Sequence, residues 1–325
     1  MQKDKENKTL NKDKPIPGLA LALGSGVARG FAHIGVLRVL KKNGIIPSIV
    51  TGTSMGAVVG ACFLATRLND LEDWALSLTR RKLFSYMDIK VRAPGLIGGK
   101  HLKLLLEENF GDLKVEDLPS PFIAIATDMG TGHEVWLRKG LLVDALQASF
   151  ALPGVFPPVE RNNRFLIDGA LVNPVPIAPC HALNARMTIG VDLNADFIGK
   201  AQRKGSSYQS VMGFDMFGQD GASEVDQKTL SKNSFSRRIF RRNDAGTPSL
   251  FGVMVSSLTI IQDRLTRSRL AGDPPDIHIK APVGHIGLLE FERAKELIEL
   301  GEEATERMIP EIKAGIEALV INHDE

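Results

Sequence analysis

The sequence predicts an α/β protein, with a mostly parallel sheet covered by helices on both faces. Two observations carry this. Between Pro17 and about Asn194, short apolar runs suited to buried strands alternate with segments of helical period. The connections are short and rich in glycine, and such units cross over right-handedly into a parallel sheet.

The elements follow in order. Leu19–Leu23 reads as a buried strand and Phe31–Lys42 as a helix, with Ile34, Leu37, Val39 and Leu40 on its apolar face. Ile45–Thr51 is a second strand and Met55–Thr66 a second helix, lined with Gly and Ala for close packing. Phe122–Thr127 and Met187–Leu193 are further apolar strands. Residues 196–248 turn rich in Ser, Gly, Lys, Arg and Gln without a sustained period, and read as a low-complexity polar and basic insertion. Helical patterning returns over Leu250–Leu270, read as packing on the core rather than covering a pocket. A strand at Asp276–Lys280 follows, and an amphipathic helix over Glu290–Ala318, which Pro310 should break or kink. The expected division is a charged, disordered tail at 1–16, one domain over 17–320, and a short tail at 321–325.

Composition narrows the function classes. The chain of 325 residues is 43% apolar and 24% charged, the balance of an ordinary globular protein. Its net charge of +2 gives no basic field for nucleic acid, and five lysines against three acids in the first fourteen residues account for that excess. Those residues lack the apolar run of a secretory signal. Two cysteines, Cys62 and Cys180, make no disulfide framework, and no Cys/His cluster has zinc spacing. A cytoplasmic protein is the simplest expectation. Asn43–Thr66 carries no charge and is long enough to span a bilayer, but Pro47, Gly52, Gly56 and Gly60 interrupt it. It reads instead as strand, turn and helix.

LALGSGVARGFAHIG, Leu21–Gly35, places Gly24, Gly26 and Gly30 between a strand and a helix. A dinucleotide turn would look similar, but the spacing is GxGxxxG. No acidic residue lies between Asp13 and Asp70 to bind a ribose. A phosphate loop fails too, for want of GK[ST]. The next turn supplies another purpose. Gly52-Thr53-Ser54-Met55-Gly56 is a G-x-S-x-G frame between strand and helix, where a nucleophile elbow needs flanking residues without bulk. Attack by a serine on a carbonyl creates an oxyanion, and the amides around Ser25, Gly26 and Val27 are candidate donors for it.

The base is open between two readings. One recruits His181, His278 or His285, none in a context suggesting a catalytic turn; His33 reads as a structural partner of the glycine loop. The other is Asp168, at the end of the apolar run in FLIDGALVNPVP, with Gly169 and Ala170 permitting a sharp turn. Its bland alternative is a turn-capping aspartate.

Gly24–Gly30, Gly52–Gly56 around Ser54, and Asp168-Gly169-Ala170 resemble the signature blocks of patatin-like phospholipases, and ASFALPGVFPPV (Ala148–Val159) resembles another segment of that family. The likeness is to bacterial RssA-type proteins of the neuropathy-target-esterase branch. It extends through DRLTRSRLAGDPPDIHI (Asp263–Ile279) and covers roughly residues 17–315. The resemblance implies a three-layer α/β/α fold and a Ser–Asp dyad without histidine, metal or other cofactor. On this chain it makes Ser54 the nucleophile, Asp168 its base, and Gly24–Gly30 the oxyanion loop, with Arg29 holding that loop's shape. Ser25 and Val27 depart from the family's commoner run of glycines.

The implied activity is hydrolysis of acyl esters in phospholipids or lysophospholipids. Acyl transfer from the same acyl-enzyme, or a non-catalytic acyl-lipid-binding regulatory role, are the alternatives. The lipid substrate suggests peripheral contact with an anionic membrane at its cytoplasmic face. Lys232–Arg242 would serve there, since it carries five positive charges with Phe235, Ile239 and Phe240 between them. A solvated basic loop is the bland reading of that stretch.

Overall fold

The structure is a computed structural model, and it describes residues 14–79, 82, 100–195 and 250–321. The expected insertion at 196–248 with its Lys232–Arg242 stretch, nearly all of the N-terminal tail, and 322–325 lie outside the described residues.

Within the described residues the strands form one sheet: β1 (Ile16–Leu23), β2 (Pro47–Thr53), β3 (Phe122–Asp128), β4 (Glu134–Leu137), β5 (Val159–Arg161), β6 (Arg164–Asp168), β7 (Met187–Asp192) and β8 (Ile277–Lys280). The spatial order is β5-β6-β3-β2-β1-β7-β8, with β4 also on β3. The run β3-β2-β1-β7-β8 is parallel throughout, as the alternating pattern predicts. The β3–β4, β3–β6 and β5–β6 pairs are antiparallel, so the sheet is mixed.

Alternation along β1 divides the core. Leu19, Leu21 and Leu23 join the large cluster on one face, and Ala20 and Ala22 a smaller one on the other. Full burial of each leucine contributes roughly 1.5–3 kcal/mol. The first face packs against α1 (Ala32–Lys42), α2 (Met55–Leu64), α5 (Leu142–Ser149) and α8 (Ala294–Ile321); α3 (Leu68–Leu76) and α4 (Lys100–Phe110) lie at its periphery. The second face carries α6 (Ala178–Ala182) and part of α7 (Leu250–Gly272). Helices flank both faces, as expected.

β1 begins at Ile16, which is buried. Of the break or kink expected at Pro310, the break does not occur, since the last helix runs through it. Glu306, whose carbonyl loses its helical donor to Pro310, is exposed and can be hydrated. Leu297 and Ile298 before the proline and Ile312 and Ile316 after it anchor the helix to the core. The Asn43–Thr66 stretch becomes β2, a turn and α2. Among the described residues, no helix is long and apolar enough to cross a membrane.

The registers on β3 fix one relation that matters for the site. β2 and β4 both pair with Ala124 and Ile125, so they lie on opposite edges of β3. β4 and β6 both pair with Ala126 and Thr127, so they too are on opposite edges. β2 and β6 therefore share one edge and meet end to end, Thr53 opposite Ile125 and Asp168 opposite Ala126.

Candidate active site

Ser54 follows the last residue of β2 and opens α2 with φ 58° and ψ −124°. A serine in the left-handed region is strained, at a cost of order 1–3 kcal/mol. The surroundings hold it there. A Cβ on Gly52 would lie 2.5 Å from the Ala57 Cα, and one on Gly56 would collide with the Leu23 and Gly24 carbonyls, so only glycines fit beside the turn. The Ser54 N–H donates to Ser149 Oγ at 2.9 Å, and Ser149 itself is fully buried.

Asp168 ends β6 and caps the following 3₁₀ turn, Gly169–Leu171, its Oδ1 accepting the Ala170 N–H at 2.8 Å. Its other oxygen, Oδ2, accepts the Ser54 Oγ–H at 2.7 Å. Gly169 presses on the Ile125 carbonyl, where a Cβ would collide. The Asp168 N–H donates to the Ala151 carbonyl at 3.0 Å, and Thr127 Oγ1 donates to the Asp168 carbonyl at 2.8 Å. The segment Ser149–Ala151 thus grips both Ser54 and Asp168. Each of the two is only 1% exposed. Burial pushes the Asp168 carboxyl up to about 7, against the opposing hydrogen bonds from Ala170 and Ser54.

The glycine loop packs on the turn that holds Ser54. Met55 packs so closely on Gly30 that no side chain fits there. The Gly24 amide donates to the Val191 carbonyl at 3.0 Å and that of Ser25 to the Pro174 carbonyl at 2.8 Å. The Ser25 N–H, expected as an oxyanion donor, is therefore already engaged. The Ala28 and Arg29 amides are engaged too, with Leu288 and Gly26. Among the described residues, only the Gly26 and Val27 amides of the stretch Gly24–Arg29 have no acceptor. Val27 stands at φ 49°, an outlier for a β-branched residue and a conformation suited to the glycine that the sequence lacks.

Arg29 is buried, its Nε donating to the Ile286 carbonyl at 2.7 Å and a terminal nitrogen to that of Gly284 at 3.3 Å. Burial brings its guanidinium down to about 10, with Glu290 opposing. It ties the loop to the segment after β8. His33 Nε2 donates to the Gly24 carbonyl at 2.7 Å, and burial pushes the imidazole down to about 4, so the ring is neutral. That is the structural role the sequence suggested.

The other histidines lie elsewhere: His181 faces Asp273, His278 faces Asp192, and His285 bonds Glu296. None contacts Ser54. Among the described residues, no group of three or more His, Cys, Asp or Glu could hold a metal ion.

Sequence reasoning missed three contributors. Ser149 lies inside the quoted Ala148–Val159 segment but carries no motif signature of its own. Asn173–Pro176 ties Thr53, Ser25 and Thr51 together through its carbonyls, and only a fold can show that. The Gly284–Ile286 anchor of Arg29 is more than 250 residues away in sequence.

A serine at positive φ is thus hydrogen-bonded to a buried carboxyl, beside loop amides that have no acceptor among the described residues. The model of the patatin-like phospholipase family matches residues 21–181, which span all three signature blocks. An uncharacterized NTE family protein of Mycobacterium tuberculosis (strain ATCC 25618 / H37Rv) is 33% identical over 352 aligned positions, covering 95% of this chain and 94% of the relative. The neuropathy target esterase sws of Drosophila melanogaster is 29% identical over 184 positions, 54% of this chain and 13% of that protein. A patatin-like phospholipase domain-containing protein of Caenorhabditis elegans is 27% identical, covering 92% of this chain and 21% of its own. The chain belongs to the NTE family of patatin-like phospholipases, a family of lipid acyl hydrolases.

Proposed function

We propose that the protein is a serine esterase that hydrolyses acyl ester bonds of phospholipids or lysophospholipids through a Ser54–Asp168 dyad. One observation carries this reading: the 2.7 Å hydrogen bond from Ser54 Oγ to Asp168 Oδ2 at a strained strand–helix turn. A carboxyl pushed up to about 7 is a far stronger base than an ordinary aspartate, and its proton affinity suits general-base work near neutrality.

Ser54 Oγ attacks the ester carbonyl as its proton passes to Asp168 Oδ2. The tetrahedral oxyanion is held by the Gly26 and Val27 amides, at the start of the 3₁₀ turn Val27–Phe31. Collapse expels the alcohol, which takes the proton from Asp168. Water, deprotonated by Asp168, then releases the fatty acid and regenerates Ser54. Arg29, His33 and Ser149 shape the loop and the turn and take no part in proton transfer.

A fluorophosphonate probe tests the nucleophile: it should label the wild-type chain and not Ser54→Ala. Mass spectrometry of products from a mixed phospholipid and lysophospholipid panel should show released fatty acid, absent with Ser54→Ala. Adding alcohol acceptors separates hydrolysis from transfer, since a transferase would give new esters in place of free acid. Full turnover by Ser54→Ala would sink the mechanism.

A further inference from the structure

α7 has two unlike faces. Inward, Met254, Val255 and Leu258 pack on a cluster of Val27, Leu152 and Val155, and Met254 fills the space above Gly154. Further along, Arg269 Nε donates to the Val172 carbonyl at 3.0 Å, and Leu270 joins the cluster under Ala20 and Ala22. The helix therefore runs from the glycine loop, at Val27, to the turn that follows Asp168.

Outward, Val253, Ser257, Ile260, Ile261, Arg264, Arg267 and Ser268 recur at helical spacing on one stripe and are all exposed. Val253, Ile260 and Ile261 are 48%, 49% and 53% exposed. The stripe holds no acid. The helix's one carboxylate, Asp263, is buried and engaged by Arg267 at 3.2 Å, and Arg264 has no partner among the described residues. An apolar stripe graded into arginines suits a surface that is greasy within and anionic at its border. A second copy fits worse, because pairing the stripe with itself would desolvate Arg264 with no acid opposite it.

We infer that the outer face of α7 docks on an anionic lipid bilayer, with Val253, Ile260 and Ile261 entering the acyl boundary and Arg264 and Arg267 meeting lipid phosphates. The inference rests on the lipid-ester reading of Ser54 for its biological sense, and on the helix itself for its physical basis. Docking there sets the bilayer against the element that packs on the glycine loop, and a lipid leaves the membrane beside the site.

The test uses the full chain carrying Ser54→Ala, so that binding is read without turnover. It is co-sedimented with phosphatidylcholine vesicles and with vesicles containing phosphatidylglycerol. Partition should favour the latter, and Ile260→Asp/Ile261→Asp should lower it by roughly tenfold or more. Arg264→Glu, which spares the apolar residues and the Arg267–Asp263 pair, should weaken the preference for phosphatidylglycerol severalfold. In the background with Ser54 intact, the isoleucine variant should lose hydrolysis of vesicle lipid yet keep that of a soluble short-chain ester within about twofold. Unchanged vesicle binding by both variants overturns the proposal. So does a shift from dimer to monomer in light scattering, or binding lost only when Lys232–Arg242 is reversed in charge. A chain that docks through these residues but hydrolyses neither substrate overturns the esterase reading and leaves the docking face standing.

Discussion

Ser149 Oγ accepts the amide hydrogen of Ser54 at 2.9 Å, joining the end of α5 to the positive-φ residue of the strand–helix turn. β2 has ended at Thr53, so this buried N–H has no ladder partner, and the hydroxyl supplies one. Ser149→Ala should cost about 1–3 kcal/mol in chemical unfolding, the usual penalty for an orphaned buried donor. It should also lower kcat by about tenfold or more with KM little changed, because small misplacements of a nucleophile are expensive. Ser149→Thr should restore both, which separates an acceptor from a mere filler.

Asp168 makes activity and stability respond to pH in opposite senses. Its folded value of about 7 lies above the ordinary 3.8, so between those limits the native state holds a proton that the unfolded chain has released. Stability supplied by the neutral carboxyl is present below about pH 4 and is lost as pH rises to 7, by an upper limit of about 4 kcal/mol. Under the proposed mechanism kcat/KM rises with pH through an inflection near 7. Asp168→Asn should be inactive, and melt above the wild type at pH 8 by a margin that shrinks towards pH 4. Thermal melts at the two pH values, with a pH–rate profile, check both signs.

Val27 inverts an ordinary ranking. At most sites glycine is roughly 0.5–1 kcal/mol worse than alanine, through chain entropy. At φ 49° alanine keeps the left-handed cost, about 1–2 kcal/mol, that glycine escapes. Both lose the valine contacts with Leu152 and Val155. Val27→Gly should therefore be more stable than Val27→Ala in urea titrations; the reverse order would mean that the loop is unstrained.

Gly56 leaves no room for relief. A methyl there meets the backbone carbonyls of Leu23 and Gly24, which cannot swing aside as a side chain can. Gly56→Ala should cost more than about 3 kcal/mol, towards the severe end for a point substitution, and abolish probe labelling by moving α2 off β1. Circular dichroism melts and fluorophosphonate labelling read the two effects.

The parallel core and the three motif turns were legible because each is local: apolar runs of strand length, helical periods, and glycines where bulk cannot fit. Ser54 and the loop around Gly26 could be proposed from neighbours a few residues away, whereas Asp168 stayed open beside three histidines until the family resemblance favoured it. The antiparallel flank was not, because β4 and β5 are short and half-exposed, and their pattern matches an ordinary loop. Nor could the sequence reveal that Ser25 spends its amide on Pro174, 149 residues later, or that Arg29 reaches Gly284. Such pairings depend on which strand ends become neighbours. Pro310 failed as a helix breaker for a kindred reason: tertiary anchoring on both sides outweighs one lost hydrogen bond.

β3 acts as a ruler. β2 and β6 bring Ser54 and Asp168 together from two consecutive rungs, Ile125 and Ala126, and Ser149–Ala151 fastens both. Surface loops of the intervening chain can lengthen, shorten or acquire whole new elements without detuning the pair, provided that β3 keeps its register and Ser149–Ala151 its two contacts. Grafted surface loops should therefore reshape what reaches the pair while leaving its spacing alone.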